Sequence, residues 1–520
     1  MNEAVVDGGR RRAREGGGRR RNAEGLNRSV PQLPRRKVRR LFPPMQLISE
    51  DQLEAIHLAS LEVLEEIGMD FMLAEARDLL AAKGAEVRGE RVRFPAGLIE
   101  ETIASAPRTF TLHARNPDND TEIGGDTIVF GTVGSPPNAS DADRGRRSGN
   151  HEDYRNFLRL AQYFNAVGFI SGYPVEPTDI HASVRHLEAL RDMAVLTDKP
   201  MHAYSLGRER ICDAIEIARI ARGITGAELE AQPSLFSIVN TNSPLKLDVP
   251  MLRGIMEMSA RNQVICITPF TLAGAMAPVT VAGALVEQNA EALAGIAFTQ
   301  MVRRGAPVIY GGFTSNVDMK SGAPAFGTPE YMKATIVGGQ LARRYHLPYR
   351  TSNTCAANTV DAQAAYESVF SLWGVTMGGG NLIMHGAGWL EGGLVASFEK
   401  FVLDVDLIQM VMEFLAPLDM SEDALGLDAI REVGPGGHFF GAQHTLARYE
   451  KAFYAPIISN WRNFQQWQAA GSPDAMKKAN LVWKQALADY QEPPIDAAVR
   501  EELDAFVERR KREGGAPTDF

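Results

Sequence analysis

From residue 126 onward the chain alternates between two patterns. Short apolar, β-branched runs give way to longer segments whose apolar positions recur at the helical period. The runs are Thr127–Gly131, Ala166–Ser171, Pro200–Tyr204, Leu235–Asn240, Gln263–Thr268, Pro307–Gly311, Pro348–Ser352 and Leu382–His385. Helix-like segments follow at about 151–163, 181–197, 208–222, 249–261, 280–303, 328–345, 361–377 and 399–415. Eight β units, each followed by a helix, predict an α/β fold of the (β/α)8 TIM-barrel type over 126–416. Four such units are equally compatible with a doubly wound sheet; the count of eight and a span of about 290 residues favour the barrel. All eight connections after the strands then share one face.

The flanks have a different rhythm. Ser49 and Gln52 form a capping-box pattern before apolar residues at Leu53, Ile56, Leu61, Leu64 and Ile67, with Gly68 as the stop. A second helix is expected near Ala74–Ala82 and short strands near Val92–Phe94 and Phe110–His113, making 45–125 a small α+β cap. Residues 417–520 predict a C-terminal helical extension placed to cover the barrel mouth. Its helices are expected near Thr445–Tyr454, Pro473–Tyr490 and Asp496–Arg512, interrupted by the glycine-rich Gly434–Gly441. Residues 1–44 form an Arg-rich N-terminal arm.

Composition narrows the class. In 520 residues, 45% hydrophobic and 23% charged, no apolar run reaches the roughly 18 to 20 residues that span a bilayer, so a membrane protein is not expected. Cys212, Cys266 and Cys355 are too far apart for a disulfide framework or a metal knuckle, and no apolar leader opens the chain; the expectation is cytoplasmic. The net charge of −9 hides a strongly basic first 40 residues with twelve arginines on an acidic body. Such an arm suits a solvated tail, or an arm on a neighbouring subunit's acidic surface in a homo-oligomer, better than nucleic acid, because no aromatic residue precedes Phe42 to stack on bases.

The connections expected at the barrel mouth are rich in Gly, Pro and Asn, which turn chemistry alone explains in part. Tyr204, Phe270, Tyr310, Phe313 and Trp389 also fall at or just after strand ends, and five aromatics at one mouth exceed what turns require. Several chemistries are missing. There is no HExxH, no Walker loop and no GxGxxG after a strand. His438 and His444 make a poor zinc pair, and lysines are scarce at strand ends, Lys246 and Lys320 lying well into loops. Asp179-Ile180-His181 begins the motif by which a protein gives a lower histidine ligand to cobalamin, but Val184 stands where its glycine belongs.

Several stretches together resemble the trimethylamine:corrinoid methyltransferase family, in its large branch without pyrrolysine. They are Arg19–Arg21, Pro269–Glu291 (PFTLAGAMAPVTVAGALVEQNAE), Gly305–Gly311 (GAPVIYG), Asp361–Glu367 (DAQAAYE) and Val433–Thr445 (VGPGGHFFGAQHT). They are spread along nearly the whole chain. The resemblance implies a barrel that docks a separate corrinoid protein, whose Co(I) takes a methyl group from an amine at the mouth; no cofactor is expected on the chain itself. Founding members carry pyrrolysine near the end of the seventh strand, where this chain reads Thr351-Ser352-Asn353-Thr354-Cys355-Ala356-Ala357-Asn358, all ordinary residues.

That departure points to a quaternary amine, glycine betaine first. Its leaving group is a neutral tertiary amine, so it needs orientation, exclusion of water and an aromatic cage, each ring worth about 0.5 to 2 kcal/mol, rather than an acid. Tyr310, Phe313 and Trp389 are the first cage candidates, with Phe270 and Tyr204 beside them. A betaine carboxylate also needs donors, for which His438 with a Gly436–Gly437 backbone nest, His385 and Asn353 are candidates; Glu391 is placed to face the ammonium or to begin a solvated loop. Two other readings remain: a barrel lyase or aldolase working through Lys320, and a quaternary-amine-binding protein without catalysis.

Overall fold

A computed structural model describes residues 29–518. Seven parallel strands make the barrel wall: Thr127–Thr132, Met201–His202, Leu235–Val239, Val264–Ile267, Val308–Gly311, Tyr349–Ser352 and Leu382–Ala387. The last strand pairs in parallel with the first. The expected strand Ala166–Ser171 does not form as such. The second barrel position is held by an extended segment with a single bridge, Gly131 to Phe169, and by Gly168 N–H to Phe130 O at 2.7 Å and Ile170 N–H to Pro200 O at 3.3 Å. Backbone contact there is close enough that a Cβ on Gly168 would lie 2.3 Å from Val129 Cγ2.

Eight helices surround the wall, at His151–Tyr163, Ala182–Leu196, Arg208–Arg222, Val249–Ala260, Val281–Val302, Pro329–Arg344, Ala362–Gly378 and Phe398–Phe414. Side chains fix most of their starts. Asn150, Asp248, Thr280, Thr328, Asp361 and Ser397 each accept a first-turn backbone N–H, a contribution of about 1 kcal/mol per cap.

Side chains alternate across each strand. Val129, Phe169, Phe236, Ile238, Val264, Cys266, Ile309, Leu382 and Met384 point inward and pack as one interior cluster. Phe110, Leu112 and Ile123, from the hairpin Thr109–Leu112 with Thr121–Gly124, join that cluster from the end opposite the loops. The described part of the N-terminal arm runs over the same protein: Val38–Arg39 adds an antiparallel strand beside Thr127 and Ile128. The expectations for residues 1–28, including Arg19–Arg21, fall outside the described residues.

Residues 45–125 build helices and a small sheet, Met69–Phe71 with Arg91–Arg93 and Glu86–Arg88, which gains Lys246–Leu247 from a barrel loop. The Ser49–Gln52 capping box is present. At the C-terminal end, Thr445–Tyr454 yields only the short helix Gln443–Leu446, while Ala475–Ala488 and Ala497–Arg512 form as expected. Among the described residues, none from the extension lines the cavity at the mouth. Ala475–Ala488 packs on the Phe398–Phe414 and His151–Tyr163 helices, and Ala497–Arg512 packs on Ala182–Leu196 and Arg208–Arg222. The loops after the strands build two small sheets of their own: a three-stranded sheet of Leu272–Ala273, Ser315–Val317 and Pro324–Ala325, and a four-stranded one uniting residues 138–148 with 389–397. Among the described residues no helix is long and apolar enough to cross a membrane.

Candidate active site

A cavity of about 290 Å3 opens at the loop end of the barrel, close to the smallest sites that enclose a small molecule. Phe270, Phe313, Trp389, Tyr204 and His385 line it, together with Ser171, His202, Met384 and Arg350. The aromatic wall is a stack. Phe270 and Phe313 lie 5.1 Å apart, Phe313 and Phe326 5.6 Å apart, and Trp389 meets Phe313 edge-on at 6.0 Å. Aromatic pairs so placed add about 0.5 to 1.5 kcal/mol each beyond area burial, which makes the wall stiff.

His385 sits in a break of the eighth strand's register and carries φ +56°, a left-handed conformation that turns its ring into the cavity. The ring packs on Trp389 at 4.1 Å, and Nδ1 accepts the Gly134 N–H at 3.2 Å. Burial, aided by Arg350, holds its pKa well below the usual value, so the imidazole is neutral. His202 is buried as well; burial and Arg350 depress it to about 3, and its Nε2 accepts the Ile238 N–H at 3.1 Å. The Tyr204 hydroxyl bonds Ser135 Oγ and accepts the Tyr173 N–H at 2.9 Å.

The loop bearing Trp389 is held from behind. Asp404 Oδ2 accepts the Gly388 N–H at 2.9 Å while Oδ1 takes Lys400 Nζ at 2.6 Å, and both side chains are wholly buried.

Other sequence candidates lie elsewhere. Tyr310 faces out of the barrel, because Ile309 occupies the inward position; its hydroxyl donates to Asn289 at 3.0 Å in the helix layer. It is not a cage ring. Asn353 is buried and donates to Gly386 O at 3.0 Å outside the cavity lining. His438 is exposed beside Phe440, and Gly436 and Gly437 are exposed with it, so no nest meets the cavity. Glu391 is paired with Arg146 at 3.0 Å. Lys320 is exposed in the turn between Ser315–Val317 and Pro324–Ala325.

Three contributors escaped the sequence reading. Phe326 follows a hairpin that alternation did not reveal. His202 and Arg350 each carry a detectable signal: a polar or charged residue inside a run expected to be a barrel strand. Among the described residues no group of three or more His, Cys, Asp or Glu side chains is placed to hold a metal.

A family model described as trimethylamine methyltransferase (MTTB) matches residues 10–515. The chain belongs to the MTTB family. It is 36% identical over 477 residues to the glycine betaine methyltransferase of Desulfitobacterium hafniense strain Y51, a match covering 92% of this chain and 99% of that one. It is 28% identical over 473 residues to trimethylamine methyltransferase MttB of D. hafniense strain DSM 10664, covering 90% and 94%. The MttB of Methanosarcina barkeri is 29% identical over 477 residues, covering 89% and 95%. Among solved structures, the monomethylamine methyltransferase MtmB of M. barkeri aligns over 88% of this MTTB-family chain and 94% of its own, at 10% identity and a TM-score of 0.45.

Proposed function

We propose that this MTTB-family enzyme moves a methyl group from a quaternary amine to the Co(I) of a separate corrinoid protein, as the resemblance in the sequence implies. Glycine betaine, the substrate named for the 36% identical relative, is the first candidate donor. One observation carries the reading: the cavity wall is a stack of aromatic rings, and among the described residues no aspartate, glutamate or lysine lines it, Arg350 being its one charged side chain. Both histidines there are neutral. Such a site binds a cation by its ring faces and offers no strong acid to protonate a leaving nitrogen.

The chemistry then needs no acid. The cobalt electron pair attacks a methyl carbon from the mouth, the C–N bond breaks, and its electrons stay on nitrogen as the lone pair of a neutral tertiary amine. The protein's part is to hold the C–N bond in line and keep water out, the kind of positioning that supplies several kcal/mol of rate enhancement. Trp389 and Phe313 supply the cage, while Phe270 stands at the rim. Lys320, exposed on its turn, gives little support to a Schiff-base lyase.

The test is a panel of quaternary and tertiary amines incubated with the reduced corrinoid partner and followed by the Co(I) to methyl-Co(III) spectral change. Methylation from glycine betaine and not from trimethylamine is the expected result. A spectrum unmoved by every quaternary amine, with betaine bound, refutes catalysis and leaves a binding protein.

A further inference from the structure

We infer that Arg350 is the floor of a carboxylate subsite, so that the cavity takes betaines, small zwitterions bearing both a quaternary ammonium and an acid, in preference to simple quaternary cations. The inference deepens the function proposed above and rests on it for the cationic end of the ligand.

Arg350 lies on the seventh strand, opposite Gly311 on one side and Leu382 on the other, and shares the inward face with Leu382. It is 3% exposed. Its guanidinium makes one long contact, Nη1 to Gly312 O at 3.5 Å, and packs over Phe313 with its central carbon 5.2 Å from the ring centre. Nε has no partner, and among the described residues no carboxylate lies within ion-pair distance. Burial pushes its pKa down, yet an arginine remains charged in a protein. A buried, unpaired charge costs several kcal/mol unless something compensates it. The histidines lining the cavity are neutral, and among the described residues no acid lines it. The compensating charge therefore belongs to the ligand.

The neighbouring polar atoms repeat the message. His202 Nε2 accepts a backbone N–H, so its neutral ring carries the proton on Nδ1, and that donor is buried without a partner. Trp389 Nε1 is another buried donor without a partner, and Ser171 Oγ is also unpartnered. All of these residues line the same cavity as Arg350. Donors that cannot accept call for an acceptor-only group. A quaternary ammonium has no acceptor, whereas a carboxylate offers about four lone-pair sites. The charge at Arg350 also stands beside the aromatic cage. A bare cation would be repelled by it, but a zwitterion with a short tether places its acid on Arg350 and its ammonium on the rings of Phe313 and Trp389.

Calorimetry on the full-length protein, without corrinoid, tests this with three probes: glycine betaine, choline and tetramethylammonium. The wild type is expected to bind betaine at least about 30-fold more tightly than choline, whose hydroxymethyl group replaces the carboxylate. Arg350→Met is expected to lose at least about 30-fold in betaine affinity while holding tetramethylammonium as well or better, and Arg350→Lys to recover part of the loss. Undetectable betaine binding at millimolar concentration, choline held as tightly as betaine, or Arg350→Met binding betaine within threefold of wild type would each overturn the subsite. If Arg350→Met fails to fold, the wild-type panel decides alone. The two proposals fail separately. Arg350-dependent betaine binding with no cobalt methylation sinks the catalytic reading only; methylation from betaine with KM unchanged in Arg350→Met sinks the subsite only.

Discussion

Replacing Asp404 by Asn tests how the Trp389 loop is held. The amide is nearly isosteric, and its oxygen still accepts the Gly388 N–H, so the change isolates the charge. It leaves Lys400, wholly buried, with Ser368 Oγ at 2.7 Å as its remaining partner and no anion. Removing one member of a buried pair costs about 3 to 5 kcal/mol, mostly the cost of the stranded ion. Lys400→Met should cost a similar amount by stranding Asp404. The double variant Lys400→Met, Asp404→Asn strands no ion and keeps an acceptor for the Gly388 N–H, so it should be within about 1.5 kcal/mol of wild type, giving a coupling energy of several kcal/mol. Urea unfolding of the four proteins, fitted with a common slope, measures the cycle. Single variants that each lose less than 1 kcal/mol, or a double that loses their sum, would refute the reasoning.

Four further outcomes are expected. Phe270→Leu, which keeps apolar bulk but removes a rim ring, should raise KM for a quaternary donor about 2- to 30-fold. Its kcat should hold, because the nitrogen loses positive charge toward the transition state; a large fall in kcat at constant KM would contradict the cage. His202 and His385 titrate below the ordinary value in the folded state, so the unfolded chain binds more protons below about pH 6.5. Their contribution is complete above that pH and is lost as pH falls below it, for His202 down to about 3, steepest at about 1.4 kcal/mol per pH unit per histidine, measurable by denaturation at pH 7 and pH 5. Arg146→Ala breaks an ion pair with Glu391 in which the arginine is half exposed, and should change unfolding free energy by under about 1 kcal/mol, with KM unmoved. Lys320→Ala should leave methyl transfer intact, and borohydride should trap no adduct in the wild type.

The barrel was legible because its rhythm is written in periodicity, and helix ends are marked by caps such as Asn150 and Asp361. The second strand was overread: Ala166–Ser171 has the composition of a strand, but Gly168 lets it press on its neighbour with few ladder bonds. Facing direction was the weaker inference. Pro307–Gly311 is apolar on both sides, so nothing in it tells whether Ile309 or Tyr310 looks inward; only pairing with the neighbouring strands decides. Glycine-rich loops misled in the other direction, since Gly436 and Gly437 are as compatible with an exposed turn as with an anion nest. Arg350 gives no loop signal: it sits within a strand, where a lone arginine reads as a break in the apolar run.

Among the described residues, the hairpin bearing Leu112 and Ile123 packs into the far end of the barrel, which leaves the loop end as the doorway for a ligand. Donor, acceptor and spent amine all use that doorway. On the proposed chemistry the amine has to be inside before the corrinoid protein seats itself, and the demethylated product departs only once that lid lifts. Turnover is thereby compelled to be ordered by architecture alone, with the small molecule first in and last out.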